Sequence, residues 1–220
     1  MKKIFVTAVM FLPVLVFADP ISIHEYYQKA EQAIKTSNLQ DALSTLSTAV
    51  TIYPNEAKAW YNLGVVYKDL NHADSAGDCF SKAIELEPKM KNARFNMAKV
   101  RTLRSSKYFD LAKAIDGFDA LFKDDPTDYR ILIELADIHY RQKSMPKLKE
   151  TVELMEKLSP ERPETYYYAG MVDEYSGNIE KALSTYSKGY IINPKSDLLK
   201  DKIWENTIRM GHLSYQKGNL

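Results

Sequence analysis

Apolar side chains recur along most of this chain at the three- and four-residue spacing of amphipathic helices, with prolines between them at regular intervals. Segment 57–90 shows the pattern most clearly, with one apolar helical face on either side of the polar turn 71–74. The first face carries Trp60, Leu63, Gly64 and Tyr67, and the second carries Ala76, Phe80 and Ala83. Pro88 has no amide hydrogen and restricts the residue before it, so the second helix should end there. We therefore predict a helical hairpin over 57–90.

The same pattern recurs in units of nearly constant length. Equivalent prolines are separated by 34, 38, 34 and 34 residues, at Pro54, Pro88, Pro126, Pro160 and Pro194. This interval predicts five hairpins, over residues 23–56, 57–90, 91–128, 129–162 and 163–196. The third unit has four extra residues. Since four residues are close to one helical turn of about 3.6, we expect both of its helices to lengthen without rotating their buried faces.

These residues resemble the tetratricopeptide repeat (TPR) family. Its repeat has a Trp, then Leu-Gly and Tyr in the first helix, and Ala, Phe, Ala and a closing Pro in the second. Unit 57–90 matches every one of these positions, whereas 91–128 departs most and Asp173 replaces the expected aromatic in the fifth unit. The resemblance covers 23–196 and implies an all-α, right-handed α-solenoid of about five TPR helix hairpins.

The last residues, 197–220, lack the closing proline but carry Leu199, Ile203 and Trp204, which we interpret as an apolar stripe on a helical period. A solenoid needs a terminal element whose outer face is polar, because the last repeat would otherwise expose its core. We predict a C-terminal capping helix. The alternative is a disordered end, which the content of Leu199 and Trp204 disfavours.

The TPR resemblance also implies where a partner would bind, because the first helices of successive units line a concave groove in this family. The groove position of each unit should be Tyr27, Tyr61, Phe95, Ile133 and Tyr167. The next residue of each unit should also face the groove, at Gln28, Asn62, Asn96, Glu134 and Tyr168. Aromatic rings offer rigid contact area, and amides can bond an extended backbone. We predict a partner-binding site of Tyr27, Tyr61, Asn62, Phe95, Asn96 and Tyr167. Alternatively, these rings pack between neighbouring first helices.

Some TPR proteins hold a C-terminal carboxylate with Lys, Asn and Arg at fixed groove positions. Here Tyr27, Asn92 and Asn96 replace the required basic residues, and only Asn62 fits. A register shifted by one unit places Glu134 where a base is needed. The sequence therefore does not support binding of a chaperone tail.

The first eighteen residues have the layout of a secretory signal peptide. Lys2 and Lys3 precede an uncharged apolar run over 4–17. Val16-Phe17-Ala18 ends this segment with small residues on either side of Phe17, as at a cleavage site. This run is shorter than the roughly 20 residues that span a bilayer as a helix. We predict cleavage after Ala18 and a periplasmic or secreted protein that contacts a membrane only through a partner. An uncleaved membrane anchor is the alternative.

Composition narrows the function further. Thirty Lys and Arg against 29 Asp and Glu give a net charge of +1, which provides no basic face for nucleic acid. A single cysteine, Cys79, excludes an internal disulfide, and we expect it to be buried. The four histidines are far apart, and no metal-binding pair, serine elbow or phosphate loop occurs. We therefore predict no catalytic residues, no metal, no cofactor and no enzymatic activity.

These observations favour a protein-protein interaction adaptor or scaffold of the cell envelope, with a segment of another protein or a peptide in the concave groove. One alternative is a structural, homo-oligomerising envelope protein without a peptide ligand. Another is a hydrolase accessory to the cell envelope.

Overall fold

A computed structural model of the chain describes residues 22–216, which form eleven α-helices and no strand. The helices are α1 (Ile23–Lys35), α2 (Leu39–Ile52), α3 (Ala57–Asp69), α4 (Ala73–Leu86), α5 (Lys91–Val100), α6 (Leu111–Asp124), α7 (Tyr129–Arg141), α8 (Met145–Leu158), α9 (Pro163–Tyr175), α10 (Ile179–Ile192) and α11 (Asp197–Gln216). The first ten pair into hairpins, and α11 follows the last pair. The predicted all-α class is confirmed, whereas the predicted leader, 1–18, lies outside the described residues.

Four of the hairpins reverse direction through one residue in the left-handed backbone region. These residues are Ser37, Asn71, Lys143 and Gly177, with φ of 58°, 61°, 56° and 79°. Each stands two positions after the end of its first helix. A left-handed residue lets the chain turn within three residues, and glycine adopts this conformation without a steric cost. The two helices of each hairpin therefore lie side by side and antiparallel.

The extensive packing contacts join helices that follow one another along the chain, as in a solenoid. Within a hairpin, an aromatic ring of the second helix lies over a glycine of the first. A methyl group at Gly64 would lie 2.6 Å from Cε1 of Phe80, and Gly170 meets the ring of Tyr186 in the same way. Both rings are fully buried. The small residue thus leaves the space that the ring fills.

The third hairpin differs from the sequence prediction, because its helices are not lengthened. The first helix, α5, has only ten residues, and the connection to α6 takes up residues 101–110. This connection folds back onto α4, where Tyr108 packs over Gly77 and its hydroxyl donates to Asp78 at 2.6 Å. The backbone N–H of Lys107 donates to Asp74 at 2.7 Å. These contacts replace the helical turn that the extra residues were expected to add.

The last helix also differs from expectation. Leu199 is buried and Ile203 packs against the core of the last hairpins, but Trp204 is 68% exposed. The prediction that Trp204 joins the buried stripe is therefore wrong. Residues 199 and 204 are five positions apart, which places them about 140° from each other around a helix. The outer face of α11 is consequently less polar than a simple cap requires.

Two further expectations concern Cys79 and the membrane. Cys79 is buried as predicted, and burial raises the pKa of its thiol to about 12. The thiol therefore stays protonated at neutral pH, and the side chain packs as a small apolar core residue.

Between residues 22 and 216, no helix combines the length and the hydropathy that a bilayer crossing requires.

Candidate partner-binding face

The candidate site lies on the surface formed by α1, α3, α5, α7 and α9, which we call the first-helix face. At its amino-terminal end, Tyr27 is half-buried and its hydroxyl donates to Glu56 at 3.2 Å. The ammonium group of Lys58 lies 5.1 Å from the centroid of the Tyr27 ring. Asn62 lines an open cleft of about 270 Å³ together with Tyr27 and Lys58. The structure thus brings two predicted site residues, Tyr27 and Asn62, to one cleft.

The centre of the face is partly occupied by the protein itself. Tyr61 is half-buried, with its ring 6.0 Å from that of Phe80. Phe95 is only 9% exposed and makes an edge contact with Phe118 at 5.4 Å. The guanidinium of Arg130 lies 5.1 Å from the Phe95 ring and covers it from the solvent side. Phe95 therefore lies in the core beneath a cation, which differs from the exposed ring that the sequence suggested.

Asn96 is also more buried than expected, at 9% exposure. Its side-chain nitrogen donates to the backbone carbonyl of Asn92 at 3.0 Å. Asn96 is thus buried with one of its donors bound to its own helix, whereas Asn62 remains accessible in its cleft.

The carboxy-terminal end of the face is aromatic. Tyr167 is half-buried and forms an edge contact with Tyr168 at 5.2 Å. Its ring also lies 6.4 Å from that of Tyr186, a core residue of α10. Tyr167 therefore combines a core contact with an accessible edge, as do Tyr27 and Tyr61.

Burial sets the ionisation of these hydroxyl groups. It raises the pKa of Tyr61 and of Tyr167 above the usual tyrosine range. For Tyr27, burial and then the nearby Glu56 carboxylate raise the pKa. All three side chains stay protonated at neutral pH; Tyr27 donates its hydrogen to Glu56, whereas the hydroxyls of Tyr61 and Tyr167 can donate to a partner.

Charged side chains of the same helices complete the site, and sequence reasoning did not select them. Lys99 pairs with Glu134 at 2.5 Å and lies 5.9 Å from the Phe95 ring. Arg130 pairs with Asp128 at 2.7 Å and is itself well exposed. Each of Lys58, Lys99 and Arg130 lies three or four positions from a predicted groove residue, which is the helical spacing that could have identified them.

The chemistry of the face is that of binding. Among the described residues, no three His, Cys, Asp or Glu side chains are close enough to hold a metal ion. The face instead offers hydroxyl donors, an amide, aromatic edges and alternating charges. Such groups suit the polar backbone and mixed side chains of a protein segment.

Comparison with known proteins agrees with this architecture. The sequence model of the family described as the cytochrome c-type biogenesis protein H TPR domain matches residues 23–166. Among curated proteins, the transcription factor tau 131 kDa subunit of Saccharomyces cerevisiae is 28% identical over 120 residues, which is 54% of this chain. That alignment spans only 11% of the yeast protein.

Solved structures share the fold at low sequence identity. A TPR protein from Parabacteroides merdae is similar, with a TM-score of 0.74 and 14% sequence identity. The superposition covers 90% of this chain and 77% of the Parabacteroides chain. YrrB, described as a TPR protein with an unusual peptide-binding site, has a TM-score of 0.63 and 19% identity, covering 82% of this chain and 91% of its own. Because the family match extends over 23–166, well over half of the sequence, the chain belongs to the family of the cytochrome c-type biogenesis protein H TPR domain.

Proposed function

We propose that this protein is an exported, non-catalytic scaffold that binds an extended segment of another protein along the first-helix face. The observation that carries the proposal is the cleft formed by Tyr27, Lys58 and Asn62, with the accessible edge of Tyr61 further along the face. Its amide and ring edges can contact a backbone without a large rearrangement of the core. The peptide-binding site of the similar fold in YrrB supports this choice of ligand class.

The charges on the face suggest the chemistry of that segment. Lys58 and Arg130 are exposed cations beside aromatic rings. A segment that presents an acidic side chain to them and apolar side chains to Tyr27 and Tyr61 would satisfy both features. Electrostatic contacts of this kind set orientation and association rate more than affinity.

The test is binding of the partner that chemical cross-linking recovers from native cells. Tyr61→Ala should weaken binding by about 2 kcal/mol or more, because interface energy concentrates in a few aromatic anchors. Asn62→Ala tests the same face without removing a ring that contacts the core. Leu154→Ala, at a 40% exposed position of the second helix α8, is the control and should bind normally. Full-strength binding by folded Tyr61→Ala and Asn62→Ala proteins would exclude the first-helix face.

Phe95→Ala should behave differently from these variants. Because Phe95 is buried against Phe118, its removal should destabilise the fold before it affects partner contacts. A melting curve separates the two effects.

Export is the second part of the proposal, and it is supported by Lys2, Lys3 and the short apolar run 4–17. Intact-mass measurement of the protein from its native host should place the amino terminus at Asp19. Retention of residues 4–17 in the native protein would contradict a cleaved, exported chain.

A further inference from the structure

The last helix carries an apolar stripe that faces away from the rest of the protein. Trp204, Ile208, Gly211 and Tyr215 follow one another at spacings of four, three and four residues, which places them on one side of α11. The exposed fractions are 68% for Trp204, 44% for Ile208 and 69% for Tyr215. Leu199 and Asn206 on the opposite side are buried. We call these four residues the α11 outer stripe.

Gly211 gives this stripe a depression. Glycine is the least favourable residue in a helix interior after proline, so its presence there needs a reason. At Gly64 the reason is the ring of Phe80, but a methyl group at Gly211 would meet nothing within 4 Å. Among residues 22–216, no other part of the chain occupies the space that the missing side chain leaves. It opens a site on the surface, seven residues and about 10.5 Å along the helix from Trp204.

We propose that a second copy of the chain covers the α11 outer stripe, with the two α11 helices antiparallel about a two-fold axis near Thr207 and Ile208. In this arrangement each Trp204 lies over Gly211 of the other copy. Positions 204 and 211 are equidistant from the axis, so the same contact forms twice. A two-fold interface requires such self-complementarity. The proposal rests on α11 alone and is independent of partner binding on the first-helix face.

Polar residues beside the stripe favour the same arrangement. Asp201 and Glu205 lie along one edge of it, and His212 lies further along that edge. With the axis midway between 207 and 208, His212 of one copy is offset by about 3 Å along the helix from Asp201 and from Glu205 of the second copy. A parallel pairing would instead set Trp204 against Trp204 and leave Gly211 facing Gly211, so neither ring would find a receiving site. The Trp204 ring is thus matched to the gap at Gly211, and the His212 imidazole to the Asp201 carboxylate, within one helix, which indicates a second copy as the occupant.

Sedimentation equilibrium of the full chain tests the proposal. The wild-type protein should show a monomer-dimer equilibrium, and Trp204→Ala should raise its dissociation constant by about 30-fold or more, as for a central aromatic anchor. Gly211→Leu should abolish the dimer by filling the receiving site. Its monomer should be at least as stable as wild type because leucine favours helix. Ile191→Ala, at a 77% exposed position on α10, is the matched control and should dimerise normally.

A cross-linking experiment checks the direction of the pair. Ile208→Cys lies next to the axis and should form a disulfide between copies, whereas Tyr215→Cys should not, since antiparallel packing separates the two equivalent positions. Efficient cross-linking through both positions would overturn the antiparallel arrangement. A wild-type chain that stays monomeric, a dimer that survives both Trp204→Ala and Gly211→Leu, or equal weakening by Ile191→Ala would overturn the proposed interface.

Discussion

At the scale of single residues, the fold depends on glycines that make room for rings. Gly64 and Phe80 form such a pair in the second hairpin, and Gly170 and Tyr186 form another in the fifth. The glycine costs helix propensity, about 1 kcal/mol relative to alanine. Burial of a whole aromatic ring outweighs that cost, at roughly 1.5 to 3 kcal/mol for a large apolar side chain.

Gly64→Leu tests this account. We expect a loss of about 1 to 3 kcal/mol in the free energy of unfolding, because the new side chain must displace the Phe80 ring. Lys68→Ala on the same helix should change stability little, since its side chain is 38% exposed and makes only a 3.5 Å ion pair with Asp69. Denaturant unfolding of both variants is the measurement. Equal denaturation midpoints for Gly64→Leu and Lys68→Ala would show that Gly64 does not face the partner helix.

At the scale of elements, the third hairpin is held by its loop as well as by its helices. Residues 101–110 cross onto α4, where Ser106 and Lys107 bond Asp74 and Tyr108 bonds Asp78. Asp110 then caps α6 by accepting from the backbone of Lys113 at 3.0 Å. The loop thus ties the second hairpin to the third, in place of longer helices.

Removing the ring of Tyr108 should detach this loop. Tyr108→Ala should cost about 2 kcal/mol of unfolding free energy, less than the value for a completely buried ring because this ring is only half-buried. Tyr108→Phe keeps the packing against Gly77 and should lose about 1 kcal/mol with the hydroxyl bond. Leu103→Ala in the same loop is 41% exposed and serves as the control. If Tyr108→Ala melts like Leu103→Ala, the loop does not contribute to stability.

At the scale of the whole molecule, a solenoid has few contacts between distant units, so each junction limits its cooperativity. Ion pairs concentrate within the third hairpin and at its connection to α7. Lys91 bridges Asp125 at 2.6 Å and Asp128 at 2.8 Å, and Arg94 reaches Asp124 at 2.7 Å. The Lys91 bond holds the pKa of Asp125 at about 2, and Arg130 followed by Lys91 lowers the pKa of Asp128 below its usual range.

These two carboxylates, Asp125 and Asp128, make the folding stability depend on pH in the acid range. Their folded pKa values lie below the unfolded value of about 3.9, so the stabilisation is complete above pH 4 and is lost as pH falls towards 2. Asp128→Asn keeps a residue that can cap α7 but removes the charge, so it should lower neutral stability by about 1 kcal/mol and flatten this acid dependence. Asp124→Asn, whose carboxylate is 58% exposed, is the control. An unchanged acid profile in Asp128→Asn would contradict this assignment.

The candidate site shows how far sequence reasoning reaches. The TPR resemblance placed Tyr27, Tyr61, Asn62 and Tyr167 on one face, because those positions recur with the repeat. It did not reveal that Arg130 covers Phe95 or that Asn96 bonds its own helix. The Arg130 contact comes from the neighbouring unit, and the Asn96 bond lies within its own helix; a pattern of apolar positions specifies neither.

What the sequence determined by itself was the repeat, because the closing prolines and the small residues opposite rings are local requirements of each hairpin. Only the tertiary structure decided how the irregular parts pack. The extra residues of the third unit formed a loop because Tyr108 could pack over Gly77 on the preceding hairpin. Trp204 was left outside because Leu199 and Asn206 had already fixed which side of α11 faces the core. Local periodicity thus identified the regular hairpins, whereas the face that a helix buries and the path of an insertion were decided only when the units packed against one another.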